Sequence, residues 1–221
     1  MSMLKPGSLA MLAIRQRGKG QKMSGLLRGL IVTALVVVVL AAGSLAWLNW
    51  RVNRETVTPL QKLDGAGTAG RALAVVSPGM STFPTDVMTA FEEGLLEKGW
   101  GIDHTTASSQ ATTQFLEYDL IVLASPIYSS RAAPPMLAYI ARAGHFGGKK
   151  VAVLLTAGGE PDDSISNTQA LLAERGAQLT AIHGYAVYQP NDPDNKYQGS
   201  NTERAVQMAR DAARALADSL Q

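Results

Sequence analysis

Three short segments of the sequence combine hydroxyl groups, an aromatic ring and glycine in a way that suits a phosphate or a flat ligand. They are Ser81 to Thr85, Ser125 to Tyr128 and Thr156 to Gly159. Hydroxyls and backbone N–H groups at a helix start can hold a phosphate. A tyrosine can stack on a flat ring, and glycine permits close approach to the backbone. The candidate cofactor-binding residues are Ser81, Thr82, Thr85, Ser125, Pro126, Tyr128, Thr156, Gly158 and Gly159.

Each segment also has an ordinary structural interpretation, and the sequence leaves both open. Ser81 or Thr82 can cap a helix, with Pro84 in its first turn and Asp86 facing the helix dipole. Tyr128 can cover the end of a core. The paired glycines of the third segment can form a tight turn.

Other reactive residue types show no catalytic or metal-binding pattern. The chain has no cysteine, which excludes disulfides, thiolate catalysis and cysteine-ligated iron–sulfur clusters. The three histidines, at 104, 145 and 183, have no ligand spacing. The polar segment 189–199 does not match a calcium loop and is interpreted as a surface loop. We therefore predict no catalytic side chain and no metal site.

The elements that position the three segments alternate between strands and helices. Strands are predicted at 72–76, 101–106, 119–124, 149–156 and 179–187, and helices around Val87 to Leu95 and at 133–142, 164–175 and 201–220. The strands are apolar without alternation, as expected for strands buried on both faces. Right-handed β-α-β connections favour the order 2-1-3-4-5, which brings the three segments to one carboxyl edge.

The region 71–221 resembles the flavodoxin family. The resemblance is most specific in the run Tyr118 to Tyr128 (Tyr-Asp-Leu-Ile-Val-Leu-Ala-Ser-Pro-Ile-Tyr) and extends through Gly148 to Gly159. It implies an α/β, flavodoxin-like three-layer sandwich with a five-stranded parallel sheet. It also implies bound FMN, and electron transfer to a redox partner or reduction of a small acceptor such as a quinone. As an enzyme, the protein would be an FMN-dependent oxidoreductase.

The first segment departs from the family's phosphate loop, Ser/Thr-x-Ser/Thr-Gly-x-Thr. With the last threonine aligned on Thr85, Met80 stands at the first hydroxyl position and Phe83 at the glycine. A second hypothesis therefore stays open: a flavin-free binding or assembly module that keeps the fold without the cofactor.

An apolar segment precedes the domain. Gly29 to Trp50 contains 22 consecutive residues without a charge, which is enough for one transmembrane helix. Trp47, Trp50 and Arg51 suit the boundary with the lipid headgroups. A cleaved signal peptide is the alternative, but the apolar run is longer than a signal sequence usually carries.

The charges predict how the chain is divided and oriented. The tail 1–28 carries six Lys and Arg and no acidic residue, whereas 71–221 carries 11 Lys and Arg against 16 Asp and Glu, a net charge of −5. We interpret the tail as an orientation signal that contacts anionic lipid rather than nucleic acid. The order is then tail, span 29–50, linker 51–70 and domain 71–221, with the N-terminus in the cytoplasm and the domain outside. If translation began at Met23, only Arg28 of these six cations would precede the span, and the charges would no longer predict an orientation.

Overall fold

The computed structural model describes residues 25–63, 67–192, 194 and 196–221. Contacts divide the chain into two compact units, Met1–Trp47 and Leu48–Gln221. Helix α1 (Gly25–Asn53) has no buried residue, and it is long and apolar enough to cross a membrane. A signal sequence near the N-terminus would meet the same criteria. Most of the predicted basic tail lies outside the described residues.

The second unit is built on a sheet whose core is five parallel strands. In chain order these are β2 (Gly70–Val76), β3 (Trp100–Thr106), β4 (Leu120–Tyr128), β6 (Lys150–Ala157) and β7 (Gln178–Ala186). They lie in the order β3-β2-β4-β6-β7, which confirms the predicted order. The sheet has seven strands rather than five, because two short ones, β1 (Gln61–Leu63) and β5 (Arg131–Ala132), pair antiparallel with β3 and β4.

The register aligns the carboxyl ends of the central strands. Val76 of β2 pairs with Ala124 of β4, and Pro126, two residues later in β4, pairs with Thr156 of β6. Thr156 in turn pairs with Tyr185 of β7. The loops that leave these strands therefore share one edge, where ligands bind in open parallel sheets.

Helices cover both faces of the sheet, which confirms the three-layer sandwich. Helices α2 (Phe83–Glu97) and α5 (Asn201–Leu220) pack on one face, and α3 (Pro134–Ala143) and α4 (Asp162–Glu174) lie on the other. Residues 107–119, all of them described, form no helix. Their buried side chains close the second face instead, with Phe115 stacked on Phe146 at 5.1 Å between ring centroids.

Part of the segment predicted as a linker packs on the domain. The Glu55 carboxylate accepts hydrogen bonds from the Ser109 backbone N–H (2.8 Å) and hydroxyl (2.6 Å). The Thr58 N–H donates to the Thr106 hydroxyl at 3.0 Å. Strand β1 follows and pairs with β3. The 51–70 stretch therefore contains the last turn of α1 and an edge strand, whereas the sequence predicted only a flexible connection.

Strand β4 turns into β5 through a hairpin of two strained residues. Tyr128 pairs with Arg131, and the residues between them, Ser129 and Ser130, have φ of 50° and 57°. Positive φ at both central positions characterises a type I′ turn, which favours Asn-Gly. The turn fixes the end of β4 and thus the position of Tyr128.

Replacing this serine pair by Asn-Gly should stabilise the protein. We expect Ser129→Asn/Ser130→Gly to raise the free energy of unfolding by about 1 kcal/mol, because serine is strained in the left-handed region. Denaturant unfolding of the detergent-solubilised protein measures this. Ser166→Gly, at an exposed position within α4, is the control, and it should lower the free energy of unfolding by up to about 1 kcal/mol. Equal effects of the two changes would contradict the type I′ assignment.

Candidate functional site

A cavity of about 270 Å³ lies at the carboxyl edge of the sheet. The loop between β2 and α2, the ends of β4 and β6, and the residues after β7 all contribute to its lining. Five of the nine predicted site residues line it: Ser81, Pro126, Tyr128, Thr156 and Gly158. The three segments singled out in the sequence thus meet at one place.

The remaining four predicted residues do not line this cavity. The buried Ser125 hydroxyl accepts a hydrogen bond from the Ala133 N–H (2.9 Å) and donates one to the Pro126 carbonyl (3.0 Å), which fixes the turn towards α3. Thr82 precedes α2, but its hydroxyl donates to the Asp86 carboxylate at 2.8 Å rather than capping a backbone N–H. Thr85 and Gly159 also lie outside the lining.

The loop between β2 and α2 is closed by contacts around Gly79. The Met80 N–H donates to the Tyr128 hydroxyl at 3.2 Å. A Cβ built on Gly79 would lie 3.2 Å from Pro84 Cγ, 3.3 Å from Pro126 Cγ and 3.3 Å from the Tyr128 hydroxyl. Such contacts are tighter than ordinary van der Waals contact, so only glycine leaves the surrounding rings undisturbed. Tyr128 therefore lies across the loop and fills part of the space beside it.

The sequence prediction missed Met80, Val187 and Tyr188, which also line the cavity. The Tyr188 N–H donates to the Gly158 carbonyl at 3.0 Å, and a Cβ on Gly158 would lie 3.5 Å from the Tyr188 ring. The Tyr188 side chain is 84% exposed. The sequence could have indicated Tyr188 as a site residue, because it directly follows the last predicted strand and the other site segments also follow strands.

Four hydroxyl groups near the carboxyl ends of the parallel strands are buried without a hydrogen-bond partner among the described residues. They are Ser77 Oγ after β2, Ser108 Oγ after β3, Thr156 Oγ1 near the end of β6 and the Tyr185 hydroxyl near the end of β7. Buried polar groups in folded proteins nearly always have a partner, so each such exception calls for an explanation. Thr156 belongs to the cavity lining, but its Oγ1 is buried, so a ligand in the cavity would reach it only if neighbouring atoms moved.

The cavity is electrically neutral within the described part of the chain. None of the described residues that line it carries a charge. The nearby start of α2 carries Asp86 in its first turn, where a carboxylate interacts favourably with the helix dipole. The arrangement suits a flat, largely uncharged ligand better than an anion.

The sequence matches no protein-family model and no curated protein. Solved structures do match. A flavodoxin from the domain Archaea superposes with a TM-score of 0.51 at 14% identity, covering 68% of this chain and 98% of its own. The chain has a flavodoxin-like fold.

Two further structures agree with this fold. A short-chain flavodoxin associated with a non-canonical PDU bacterial microcompartment has a TM-score of 0.51 at 14% identity, covering 68% of this chain and 99% of its own. The azoreductase AzrA has a TM-score of 0.50 at 14% identity, covering 66% and 99%. The cavity of this flavodoxin-like domain lies at the carboxyl edge, beside the strand where the order reverses.

Proposed function

We propose that the flavodoxin-like domain binds a flavin, FMN in the first instance, in the carboxyl-edge cavity. With the flavin bound, the protein would transfer electrons or reduce a small acceptor such as a quinone at a membrane surface. The observation that carries this proposal is a cavity whose described lining has no charged residue and includes two aromatic rings, Tyr128 and Tyr188.

The residues of the cavity fit the ring system of a flavin. Tyr128 and Tyr188 provide aromatic surfaces for stacking. Gly158 adds no side chain to the lining, which leaves room for a flat ring system. A bound flavin supplies the hydride and one-electron chemistry, while the chain binds, orients and shields the ring.

The structural neighbours support a redox role at the level of the fold. Two of the neighbours named above are flavodoxins, and the third is an azoreductase. Because one fold hosts many functions, the choice between carrying electrons and reducing an acceptor depends on the site. The exposed Tyr188 leaves one side of the cavity accessible to a small acceptor or a partner protein.

The proposal places the domain on the outer side of a membrane. Helix α1 would span the bilayer, with Trp47, Trp50 and Arg51 at the boundary that the chain crosses before the domain. The six cations of the N-terminal tail would stay in the cytoplasm. Anchoring would raise the local concentration of the domain near membrane-bound partners.

Protease protection tests this orientation. Protease added to intact spheroplasts should digest the domain, because the basic tail retains the N-terminus inside. A cytoplasmic protein that stays intact serves as the control for leakage. Digestion of the domain only after lysis would overturn the orientation and favour translation from Met23.

The absorption spectrum of the full-length protein, purified in detergent, tests the flavin proposal. We expect flavin bands that migrate with the protein, or that appear after incubation with FMN or riboflavin and survive desalting. A spectrum without flavin after both treatments would contradict the proposal.

A flavin-free binding or assembly module is the second candidate function. The position of Tyr128 favours it. Its hydroxyl accepts a hydrogen bond from the Met80 N–H and lies close to Gly79, so the loop between β2 and α2 is held in place without a cofactor. Under this hypothesis the two tyrosines would contact a partner protein. The absence of flavin in the spectrum is the result that would support it.

A further inference from the structure

We infer that the cavity recognises the ring of a flavin and not its phosphate, so that riboflavin and FMN bind with similar affinity. This inference rests on the proposed function and specifies the ligand chemistry of the same site. It follows from three properties of the loop between β2 and α2: its donors, its charge and the space it leaves.

The loop and first turn of α2 offer a reduced set of donors to a phosphate. Pro78 and Pro84 have no N–H group. The N–H groups of Ser77, Met80 and Asp86 are already bonded, to the Ala124 carbonyl, the Tyr128 hydroxyl and the Thr82 carbonyl. Half of the ten positions 77–86 therefore provide no backbone donor to a ligand. A phosphate is normally held at a helix start by several such groups acting together.

The charge at the start of α2 opposes an anion. Asp86 occupies the first turn and places a carboxylate where the helix dipole would otherwise favour a phosphate. The Thr82 hydroxyl, a predicted phosphate ligand, donates to that carboxylate at 2.8 Å. No described residue of the cavity lining is a cation that could offset the repulsion. A phosphate here would meet a like charge and a hydroxyl already in use.

The space beside the loop is occupied by side chains. Pro84, Pro126 and the Tyr128 hydroxyl all approach Gly79, to between 3.2 and 3.3 Å of a Cβ built there. Phe83 is only 6% exposed and belongs to the core beneath α2. A phosphate would have to displace these packed rings to reach the backbone at Gly79.

Parallel titrations of the full-length protein in detergent with riboflavin and with FMN test this inference. Both flavins are followed by quenching of their fluorescence. We expect dissociation constants within about threefold of each other, since one charge-assisted hydrogen bond to the phosphate would already give FMN an advantage of about tenfold. FMN binding more than about tenfold tighter would overturn the inference while leaving the proposed function intact. Binding of neither flavin would overturn both.

Restoring a phosphate site provides the second test. In Pro84→Ala/Asp86→Asn the N–H group returns and the carboxylate is lost, so FMN should bind about tenfold tighter while riboflavin changes by less than about threefold. Retained riboflavin binding also shows that the variant folds. The control Glu117→Gln makes the same change in net charge in the exposed loop before β4 and should alter neither constant. Equal gains for FMN in the variant and the control, or no gain in the variant, would overturn the inference.

Discussion

Replacing Gly94 by valine is expected to lower the free energy of unfolding by about 3 kcal/mol or more. Gly94 lies in α2 where this helix crosses α5. A Cβ at this position would lie 2.4 Å from the Arg210 carbonyl oxygen and 2.7 Å from Ala213 Cβ. Backbone atoms of a packed helix cannot retreat without moving the whole helix, so α2 and α5 would separate.

Thr89→Val is the matched control for this change. It places the same side chain at an exposed position of α2 and should alter the free energy of unfolding by no more than about 0.5 kcal/mol. Denaturant unfolding compares the two variants in the full-length protein. A Gly94→Val variant as stable as the control would show that α2 and α5 do not approach as closely as described.

Replacing Tyr128 by alanine is expected to weaken flavin binding by about 1 to 3 kcal/mol, roughly fivefold to 150-fold. The tyrosine ring provides one aromatic surface of the cavity, and stacking on a flat heterocycle has this magnitude. The loss should appear as a larger dissociation constant for both riboflavin and FMN, because it concerns the ring that they share.

Tyr128→Phe separates stacking from the structural role of the hydroxyl. Phenylalanine keeps the ring and loses the hydrogen bond from the Met80 N–H, so flavin binding should stay within about threefold. Thermal stability should be measured with and without flavin. If Tyr128→Ala lowers stability equally in both conditions and leaves flavin affinity unchanged, Tyr128 only covers the core.

The order of the sheet could be predicted because burial on both faces leaves a clear pattern in the sequence. Strands β2, β4 and β6 are apolar runs, and the helix with Val87, Phe91 and Leu95 on one face buries those residues against the sheet. Strand β1 could not be predicted in this way. Its residues, Gln61–Leu63, form no apolar run, and they become a strand only because the edge of β3 is open for pairing.

The candidate site could be predicted only as a region. Strand ends and hydroxyl residues indicated which loops meet, but the sequence does not reveal which hydroxyls are used within the fold. Ser125 bonds to the turn before α3, and Thr82 bonds to Asp86. Both interactions depend on the local path of the backbone. The Tyr128 hydroxyl likewise reaches Met80 across 48 residues of chain, a contact that no local pattern encodes.

A riboflavin titration of the native protein beside the double variant Tyr128→Ala/Tyr188→Ala tests whether the carboxyl-edge cavity holds a flavin. Riboflavin lacks the phosphate, so its fluorescence quenching reports the cavity's interaction with the ring and its ribityl chain. We expect saturable quenching with the native protein and no saturable quenching with the double variant. No quenching by the native protein, or the same saturable quenching by both proteins, would contradict the claim that this cavity holds a flavin.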